Sequence, residues 1–361
     1  MKLAWISSMT DCEADMTAAI ARHPDIELKL FIIIDSCDKN NDYHRKMLTS
    51  APNIELKEVA VTFNKTGDGG YPFKTVADEI KNQGPDLIIV RHPVWLASEG
   101  KAKEICNLFQ DYPLVLWTWE WVPNIEMQQM PPLESWPRIA VTNSQDYERC
   151  LARFPRKKTL YFPFGVVDRT ELETAFRWQY ICDLLCDAQP HYECKEYHAI
   201  KRQSVDTMIL PALSTPWELA LWGSRYGDTT RCDWAATPDF IPFHQGSFPT
   251  KDYPHVYGSA QLYLGVTWNW QSGGFSIRLA RALGCGVATI WQETSGGHID
   301  IPENGVVAWS ADARQTKKLI YHYMNNQDAR KELAAKGKAW GVANWEWGMQ
   351  LKRLAKEVGH D

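Results

Sequence analysis

The sequence lacks the long apolar run of a membrane-spanning helix, since no stretch approaches the ~20 consecutive apolar residues that crossing a bilayer requires. The opening, MKLAWISSM, lacks the extended apolar region of a signal peptide. Nine cysteines, an odd number and mostly scattered, fit reduced thiols better than a disulfide framework. The net charge of −5 gives no overall attraction to nucleic acid, although a local basic patch stays compatible with it. We therefore expect a soluble, cytoplasmic protein without a transmembrane segment.

The chain does contain a regular alternation of predicted strands and helices, over 361 residues that suffice for two domains. This order is typical of parallel, doubly wound sheets, so we predict an α/β protein. The predicted strands of the first half are Lys2–Ile6, Ile26–Ile34, Ile54–Val61, Asp86–Arg91, Leu114–Thr118 and Ile139–Thr142. Those of the second half are Leu219–Trp222, Gln261–Val266, Val287–Trp291 and Val306–Trp309.

Three strand ends of the first half carry polar or aromatic residues. Ligands of doubly wound sheets bind beyond the carboxyl ends of the strands, so these ends are candidate binding positions. Histidine or glutamate there can orient or deprotonate an acceptor hydroxyl, and tryptophan can stack on a sugar ring. The alternative is that the histidine is a capping residue and the glutamate a surface acid between two core tryptophans. The residues concerned are Ser7, Asp11, His92, Trp119, Glu120 and Trp121.

The stretch Gln271–Trp291 is predicted as a loop, a short helix, a turn and a buried strand, with the helix from about Phe275 to Leu283. A glycine pair before the helix lets a ligand approach the backbone, and the first-turn N–H groups and the helix dipole favour an anion. Arg278 and Arg281 lie three apart on one helical face, where a phosphate between them relieves their repulsion. A solvated arginine face on an ordinary helix is the alternative.

Two loops that come before the stretch Gln271–Trp291 in the chain are further candidate binding loops of the second half. A glycine-bracketed loop with an arginine can hold a diphosphate through backbone N–H groups and a guanidinium. This description fits the first loop, which contains Gly223, Ser224 and Arg225. The second loop contains His244 and Gly246. These loops and residues 268–281 succeed one another in the chain, and together they favour a ligand site over a domain whose loops bind nothing.

The middle segment, about residues 169–215, breaks the alternation and is predicted as a helical insertion. Thiols and imidazoles at separations of four can face one way on a helix, so a structural zinc is conceivable. The spacing lacks a paired C-x-x-C arrangement, and free cysteines are commonly core residues, so we favour ordinary core cysteines. The candidate zinc ligands are Cys182, Cys186, Cys194 and His198.

The run Gly273, Gly274, Phe275 and Ser276, followed by an apolar helix that ends in Ala-Leu-Gly-Cys-Gly-Val, resembles the signature segment of GT-B glycosyltransferases, particularly the group 1 and CgeB-like branch. The resemblance implies two Rossmann-like domains that face each other across a cleft. Residues 1–165 are the expected acceptor domain, and residues 166–343 the expected nucleotide-sugar donor domain. Residues 344–361 are expected to form a helix that returns to the first domain or covers the second.

In such enzymes the signature helix holds the diphosphate and ribose of the donor. The resemblance therefore implies transfer of a sugar from a nucleotide-diphosphate sugar to an acceptor hydroxyl, with retention of anomeric configuration and without a metal. It implies that His92 or Glu120 is catalytic, and that the acceptor is bound by Ser7, Asp11, Trp119 and Trp121. The implied donor-binding residues are Gly223, Ser224, Arg225, His244, Gly246, Gly273, Gly274, Phe275, Ser276, Arg278 and Arg281.

Two departures from the family pattern leave the donor open. Where the family usually has two glutamates, this chain has Gly273 and Arg281. The resemblance thus fixes neither the nucleotide nor the sugar, whether hexosyl or pentosyl. The acceptor is equally open between a glycan, a small molecule, a protein and a modified DNA base, as in phage DNA glycosyltransferases. The missing glutamates also keep two alternatives in view, a catalytically silent nucleotide-sugar-binding module and a sugar-nucleotide epimerase on the same fold.

Overall fold

The computed structural model describes residues 1–7, 11–35, 48–61, 73–91, 99–118, 133–187, 202–223, 245, 248, 250–266, 276–294, 297–302 and 305–359. The chain divides into two compact units, one of residues 1–165 and 347–361 and the other of residues 166–346. Each unit is built on a parallel sheet, as predicted. Among the described helices, none is long and apolar enough to cross a membrane.

The first unit is built on seven parallel strands in the spatial order β3-β2-β1-β4-β5-β6-β7. Every residue of β4 and β5 is buried, which is typical of parallel strands covered on both faces. The order reverses between β1 and β4, and this topological switch point is where ligands bind in such sheets. The strands are β1 (Lys2–Ser7), β2 (Glu27–Asp35), β3 (Ile54–Val61), β4 (Leu87–Arg91), β5 (Leu114–Thr118), β6 (Ile139–Val141) and β7 (Thr159–Tyr161).

Helices alternate with these strands along the chain. Apolar residues of the helices and strands share one core, in which Ile88, Phe109, Leu116 and Trp136 are buried. The helices are α1 (Asp11–Ile20), α2 (Phe73–Gln83), α3 (Glu99–Leu108) and α4 (Ser144–Arg153), with short 3-10 helices at Leu133–Ser135 and Arg156–Lys158.

The second unit is built on five parallel strands in the order β12-β11-β10-β8-β9, which reverses between β8 and β10. The strands are β8 (Cys182–Asp187), β9 (Leu219–Trp222), β10 (Ala260–Gly265), β11 (Thr289–Gln292) and β12 (Ala308–Ser310). The helices are a π-helical segment Val205–Ile209 that leads into α5 (Leu210–Leu213), then α6 (Tyr253–Gly258), α7 (Ile277–Cys285), α8 (Gly297–Asp300), α9 (Ala313–Asn325) and α10 (Gln327–Trp345).

The prediction of a helical insertion over residues 169–215 is wrong for its middle part. Residues Cys182–Asp187 form β8, which pairs in parallel with both β9 and β10. The segment pairs on both of its edges, and Cys182, Leu184, Leu185 and Cys186 are all buried, as is typical of a parallel strand inside a sheet covered on both faces. The sequence pattern predicted Leu219–Trp222 as the first strand of the second unit. The structure shows that β8 comes before it in the chain.

The extended strand also separates two of the four candidate zinc ligands. Residues four apart on a strand lie about 13 Å apart, whereas two thiolates on one zinc lie at most about 4.6 Å apart. Cys182 and Cys186 therefore do not bind the same ion from β8. Burial raises the pKa of the Cys182 thiol to about 12, so it stays protonated at neutral pH. The other two candidates, Cys194 and His198, lie outside the described residues.

The final helix, α11 (Trp347–Gly359), belongs to the first unit. The Trp347 ring is fully buried, and its centroid lies 6.2 Å from that of Trp5 and 5.8 Å from that of Trp117 in edge-on contacts. A Cβ atom on Gly165 would overlap the Trp347 ring, so the absence of a side chain there allows the helix to pack. Tryptophan thus serves as core material in this unit.

Candidate functional site

A half-buried carboxylate lies at the switch point of the second sheet. Asp187 ends β8, and its side chain accepts hydrogen bonds from the hydroxyls of Tyr257 on α6 and Tyr263 on β10, at 2.7 and 2.6 Å. Burial raises the pKa of Asp187, although the charge of Arg278 and the two hydroxyls lower it. Burial and the nearby Asp187 raise the pKa of both tyrosines well above the ordinary value, so both keep their protons and donate.

Arg278 connects this carboxylate residue to the start of α7. Its Nη1 donates to the main-chain carbonyl of Asp187 at 3.1 Å, and the side chain is half-buried. Desolvation lowers the pKa of Arg278, but the neighbouring Tyr263 and Asp187 raise it by more, so the net shift of the pKa is upward. The guanidinium is therefore permanently cationic. The result is a positioned cation at the carboxyl end of β8, in the first turn of a helix.

Local sequence signals fix both ends of α7. The Ser276 side chain accepts a hydrogen bond from the N–H of Leu279 at 3.3 Å, as an N-cap does. The helix ends at Gly286, whose φ of 70° is in the left-handed region that favours glycine. The N-terminal turn therefore has a defined direction, and its N–H groups and dipole favour an anion at that end.

Arg281 has different contacts from Arg278, although the two lie on one helix. Its guanidinium carbon lies 4.5 Å from the centre of the Tyr253 ring, and the side chain is 7% exposed. Arg169 donates to the Tyr253 hydroxyl from Nε and Nη2, at 3.0 and 2.7 Å, and pairs with Glu173 at 3.0 Å. The alternative of a solvated arginine face is therefore wrong for Arg281, which packs inside the unit.

A second carboxylate, fully buried, lies at the switch point of the first sheet. Glu13, on α1, is fully buried and accepts hydrogen bonds from Ser7 at 2.5 Å and from the indole of Trp5 at 3.2 Å. Its other oxygen bonds Nη1 of Arg91 at 2.5 Å. Arg91 ends β4 and its guanidinium carbon lies 5.7 Å from the Trp117 ring centre. This ion pair joins the carboxyl ends of β1 and β4 to α1.

The sequence pattern did not predict Glu13 or Asp187. A signal for Asp187 was present, because it follows the apolar run of β8 directly, as Ser7 ends β1. Ser7, predicted to bind an acceptor, is fully buried with its hydroxyl bonded to Glu13. Asp11 begins α1, and its side chain lies outside the described residues.

The structure brings together fewer of the predicted site residues than the sequence proposed. Gly223 directly follows β9 with a φ of 152°, a positive value that favours glycine. Ser276, Arg278 and Arg281 lie together on or next to α7. Other predicted residues lie outside the described part of the chain, namely His92, Trp119, Glu120, Trp121, Ser224, Arg225, His244, Gly246, Gly273, Gly274 and Phe275.

In the described residues, no group of three or more histidine, cysteine, aspartate or glutamate side chains is arranged to hold a metal ion. Within the described part of the chain, the polar groups at the second switch point are an arginine, two tyrosines and one aspartate. Such a set, next to a helix N-terminus, is suited to an anionic ligand that takes hydrogen bonds from a guanidinium and from backbone N–H groups.

Comparison with known proteins agrees with this geometry. Residues 202–355 match the protein family described as glycosyl transferase-like, and this range contains β9 to β12 and the whole of α7. No curated protein matches the chain by sequence.

Solved structures share the fold over the whole chain. HepE from Anabaena, solved with UDP and glucose, is 11% identical, with 99% of each chain covered and a TM-score of 0.65. Sucrose-phosphate synthase from Thermosynechococcus elongatus is 12% identical, with 99% of this chain and 98% of that chain covered and a TM-score of 0.62. An α-glucosyltransferase solved with UDP and a 13-mer DNA containing an HMU base is 9% identical, with 99% of each chain covered and a TM-score of 0.64.

These likenesses show that the chain has the GT-B fold of two Rossmann-like α/β units. The predicted fold class is confirmed, and so is the predicted resemblance to GT-B glycosyltransferases. Identities of 9 to 12% show a shared fold alone and do not show that this chain binds the ligands of those proteins.

Proposed function

We propose that the chain is a glycosyltransferase that moves a sugar from a nucleotide-diphosphate sugar to an acceptor hydroxyl, with UDP as the first nucleotide to test. The glycosyl transferase-like match over residues 202–355 supports this proposal, and HepE and the α-glucosyltransferase of the same fold were solved with UDP. The observation that carries it is the position of Arg278, a half-buried cation at the second switch point and in the first turn of α7.

The second unit binds the donor in this proposal. Arg278 and the first-turn N–H groups of α7 bind the diphosphate and stabilise the charge that develops on it as the sugar leaves. A fixed guanidinium performs the electrostatic task of a metal ion, so we propose metal-independent transfer. The further proposed donor-binding residues are Gly223, Ser224, Arg225, His244, Gly246, Gly273, Gly274, Phe275, Ser276 and Arg281.

The first unit binds the acceptor in this proposal. His92 or Glu120 positions the acceptor hydroxyl and takes its proton, since either side chain can act as a general base. Trp119 and Trp121 stack on the acceptor, and Asp11 accepts a hydrogen bond from it. We propose that the transfer retains the anomeric configuration, because group 1 relatives are typically retaining. The transferred sugar is either a hexosyl or a pentosyl group.

The donor assignment is tested by titrating wild-type protein with UDP-, GDP-, ADP- and dTDP-sugars and following the melting temperature. We expect stabilisation by UDP-sugars and its loss in Arg278→Ala. Arg314→Ala, an exposed arginine on α9, is the matched control and keeps the stabilisation. Failure of every donor to stabilise the wild type would contradict the proposal.

Product analysis separates transfer from the rival activities. A transferase releases UDP and free sugar slowly when water replaces the acceptor, and EDTA leaves this rate unchanged if no metal takes part. A binding module leaves the donor intact, and an epimerase converts it to another nucleotide sugar. Either of those two results contradicts the transferase proposal.

A glycan or a modified DNA base is the acceptor class to test first, because one relative of this fold was solved with DNA containing an HMU base. DNA binding supported by cationic side chains weakens steeply as salt rises. A net charge of −5 gives no overall attraction, so a DNA acceptor requires a local basic surface. A duplex mobility shift that falls with salt supports the DNA acceptor, and its absence at low salt favours a glycan.

A further inference from the structure

One short segment of the second unit carries several large apolar side chains that are exposed to solvent. Leu172, Phe176, Trp178 and Ile181 are 85%, 64%, 79% and 52% exposed. We call residues 172–181 the apolar segment. Single exposed apolar residues are ordinary, whereas four of them within ten residues are a feature of interaction surfaces.

The apolar segment is held in place by hydrogen bonds to α6 and the residue after it. His255 Nδ1 lies 2.9 Å from the carbonyl oxygen of Ala175, and the N–H of Arg177 donates to Ser259 Oγ at 2.9 Å. A fixed backbone means that the exposure is a property of the folded unit. It also lowers the conformational entropy that a partner must overcome on binding.

The charges of the apolar segment indicate which class of partner it can bind. The segment carries one glutamate, Glu173, and one arginine, Arg177, so its net charge is zero. Both are paired within the unit, Glu173 with Arg169 at 3.0 Å and Arg177 with Asp252 at 3.5 Å. An anionic membrane or a nucleic acid is attracted by an excess of basic residues, and the apolar segment, with one arginine and one glutamate on a chain of net charge −5, has no such excess.

The composition and size of the surface fit a protein partner. Tryptophan and phenylalanine dominate the centres of protein interfaces and carry much of their binding energy. From typical side-chain areas, the four exposed side chains present on the order of 500 Å² of apolar surface. A standard interface buries about 800 Å² on each partner, so the segment supplies the larger part of one side.

We propose that the apolar segment is the interface through which two copies of this chain form a two-fold symmetric dimer. A two-fold interface uses the same patch on both partners, so the patch must complement itself. An apolar patch of zero net charge does so, because two copies meet without repulsion between like charges. Phe176 and Trp178 are its central contacts.

The test measures the mass of the full-length protein in solution by sedimentation velocity over a wide concentration range. We expect the wild type to reach twice the monomer mass of 41.4 kDa. The double variant Phe176→Ser/Trp178→Ser raises the dimer dissociation constant roughly a hundredfold or more, as loss of two central aromatic contacts does. Leu56→Ser, an exposed leucine of the first unit, is the matched control and leaves the constant unchanged. Circular dichroism melts check that each variant is folded.

Two results overturn the proposal. One is a wild type that stays at monomer mass at the highest concentration, or a dimer that is as stable in the double variant. The other is a monomeric wild type that floats with uncharged phosphatidylcholine vesicles while the double variant does not, which assigns the segment to a membrane surface. Dimerisation that the double variant loses and Leu56→Ser keeps supports the proposal.

Discussion

The switch points of the two sheets both join an arginine to an acidic residue, but they do so differently. In the first unit, Arg91 is 4% exposed and bonds the Glu13 carboxylate directly at 2.5 Å. In the second, Arg278 is half-buried and bonds the main-chain carbonyl of Asp187, while tyrosine hydroxyls occupy the carboxylate. Arg91 is therefore buried in the first unit, whereas Arg278 is only half-buried in the second.

From this difference we infer that the buried Arg91 is a structural arginine, and we propose that the half-buried Arg278 is the one that binds a ligand. An enclosed ion pair contributes to stability because removal of one partner leaves a charge in the interior. A half-exposed guanidinium fixed by a carbonyl still offers other N–H donors of its planar fork. We therefore expect changes in the first pair to alter stability, and changes around Arg278 to alter ligand affinity.

The largest expected effect is on stability, in Glu13→Gln. Loss of the carboxylate removes the charge partner that lies 2.5 Å from the buried Arg91 guanidinium, and breaking a buried ion pair costs about 3–5 kcal/mol in the free energy of unfolding. Urea denaturation followed by tryptophan fluorescence measures it, since the Trp5 indole donates to Glu13. Glu27→Gln, an exposed residue of β2, is the control and changes stability by less than about 0.5 kcal/mol.

A double variant sharpens this result. Glu13→Gln/Arg91→Met removes both charges, so it should be more stable than Glu13→Gln alone. A Glu13→Gln protein that unfolds together with the Glu27→Gln control contradicts a structural role for the pair.

An intermediate effect is expected in Tyr263→Phe. The variant removes a hydroxyl that donates to the half-buried Asp187 at 2.6 Å, and a hydrogen bond to a charged group contributes about 1.5–3 kcal/mol. Thermal and urea unfolding measure the loss, with the exposed Tyr321→Phe as the control. Equal stability of the two variants argues that Asp187 does not depend on its tyrosine donors.

The smallest expected effect is a change of slope with pH in Asp187→Asn. Burial raises the pKa of Asp187 in the folded state above 3.8, its ordinary value in the unfolded state. At a pH between the unfolded-state pKa and the folded-state pKa, the folded state keeps a proton that the unfolded state has released. The contribution of this carboxyl to stability therefore falls as pH rises through that interval, by at most about 1.4 kcal/mol per pH unit. The wild-type stability minus that of Asp187→Asn should decline there and then level off. A difference that is constant from pH 3.8 upward contradicts the raised pKa.

Local signals in the sequence were enough to predict the helix of the signature stretch. The prediction from Phe275 to Leu283 differs from α7, Ile277–Cys285, by two residues at each end. The serine cap and the left-handed glycine act within one turn of the helix ends, so the sequence alone carries them. The alternation of strands and helices likewise predicted the parallel sheets correctly.

Non-local pairing explains what the sequence did not predict. The spacing of Cys182 and Cys186 fits a helix as well as a strand, and only pairing with β9 and β10 decides between them. Glu13 meets Arg91 across 78 positions of the chain, through the adjacency of β1 and β4. A glutamate on the buried face of the helix after the first strand was the available signal, and its partner could not be read from local sequence.

The measurement that tests the account most directly is the affinity for UDP by isothermal titration, in wild type, Arg278→Ala and Glu13→Gln. We expect Arg278→Ala to bind UDP roughly 10- to 100-fold more weakly, because it loses a charge-assisted contact of about 1.5–3 kcal/mol. Glu13→Gln, measured at a temperature where it is folded, should bind within about twofold of wild type, since its effect of about 3–5 kcal/mol falls on stability. Equal binding by wild type and Arg278→Ala, or an equal loss in both variants, would contradict the assignment of the donor to the second switch point.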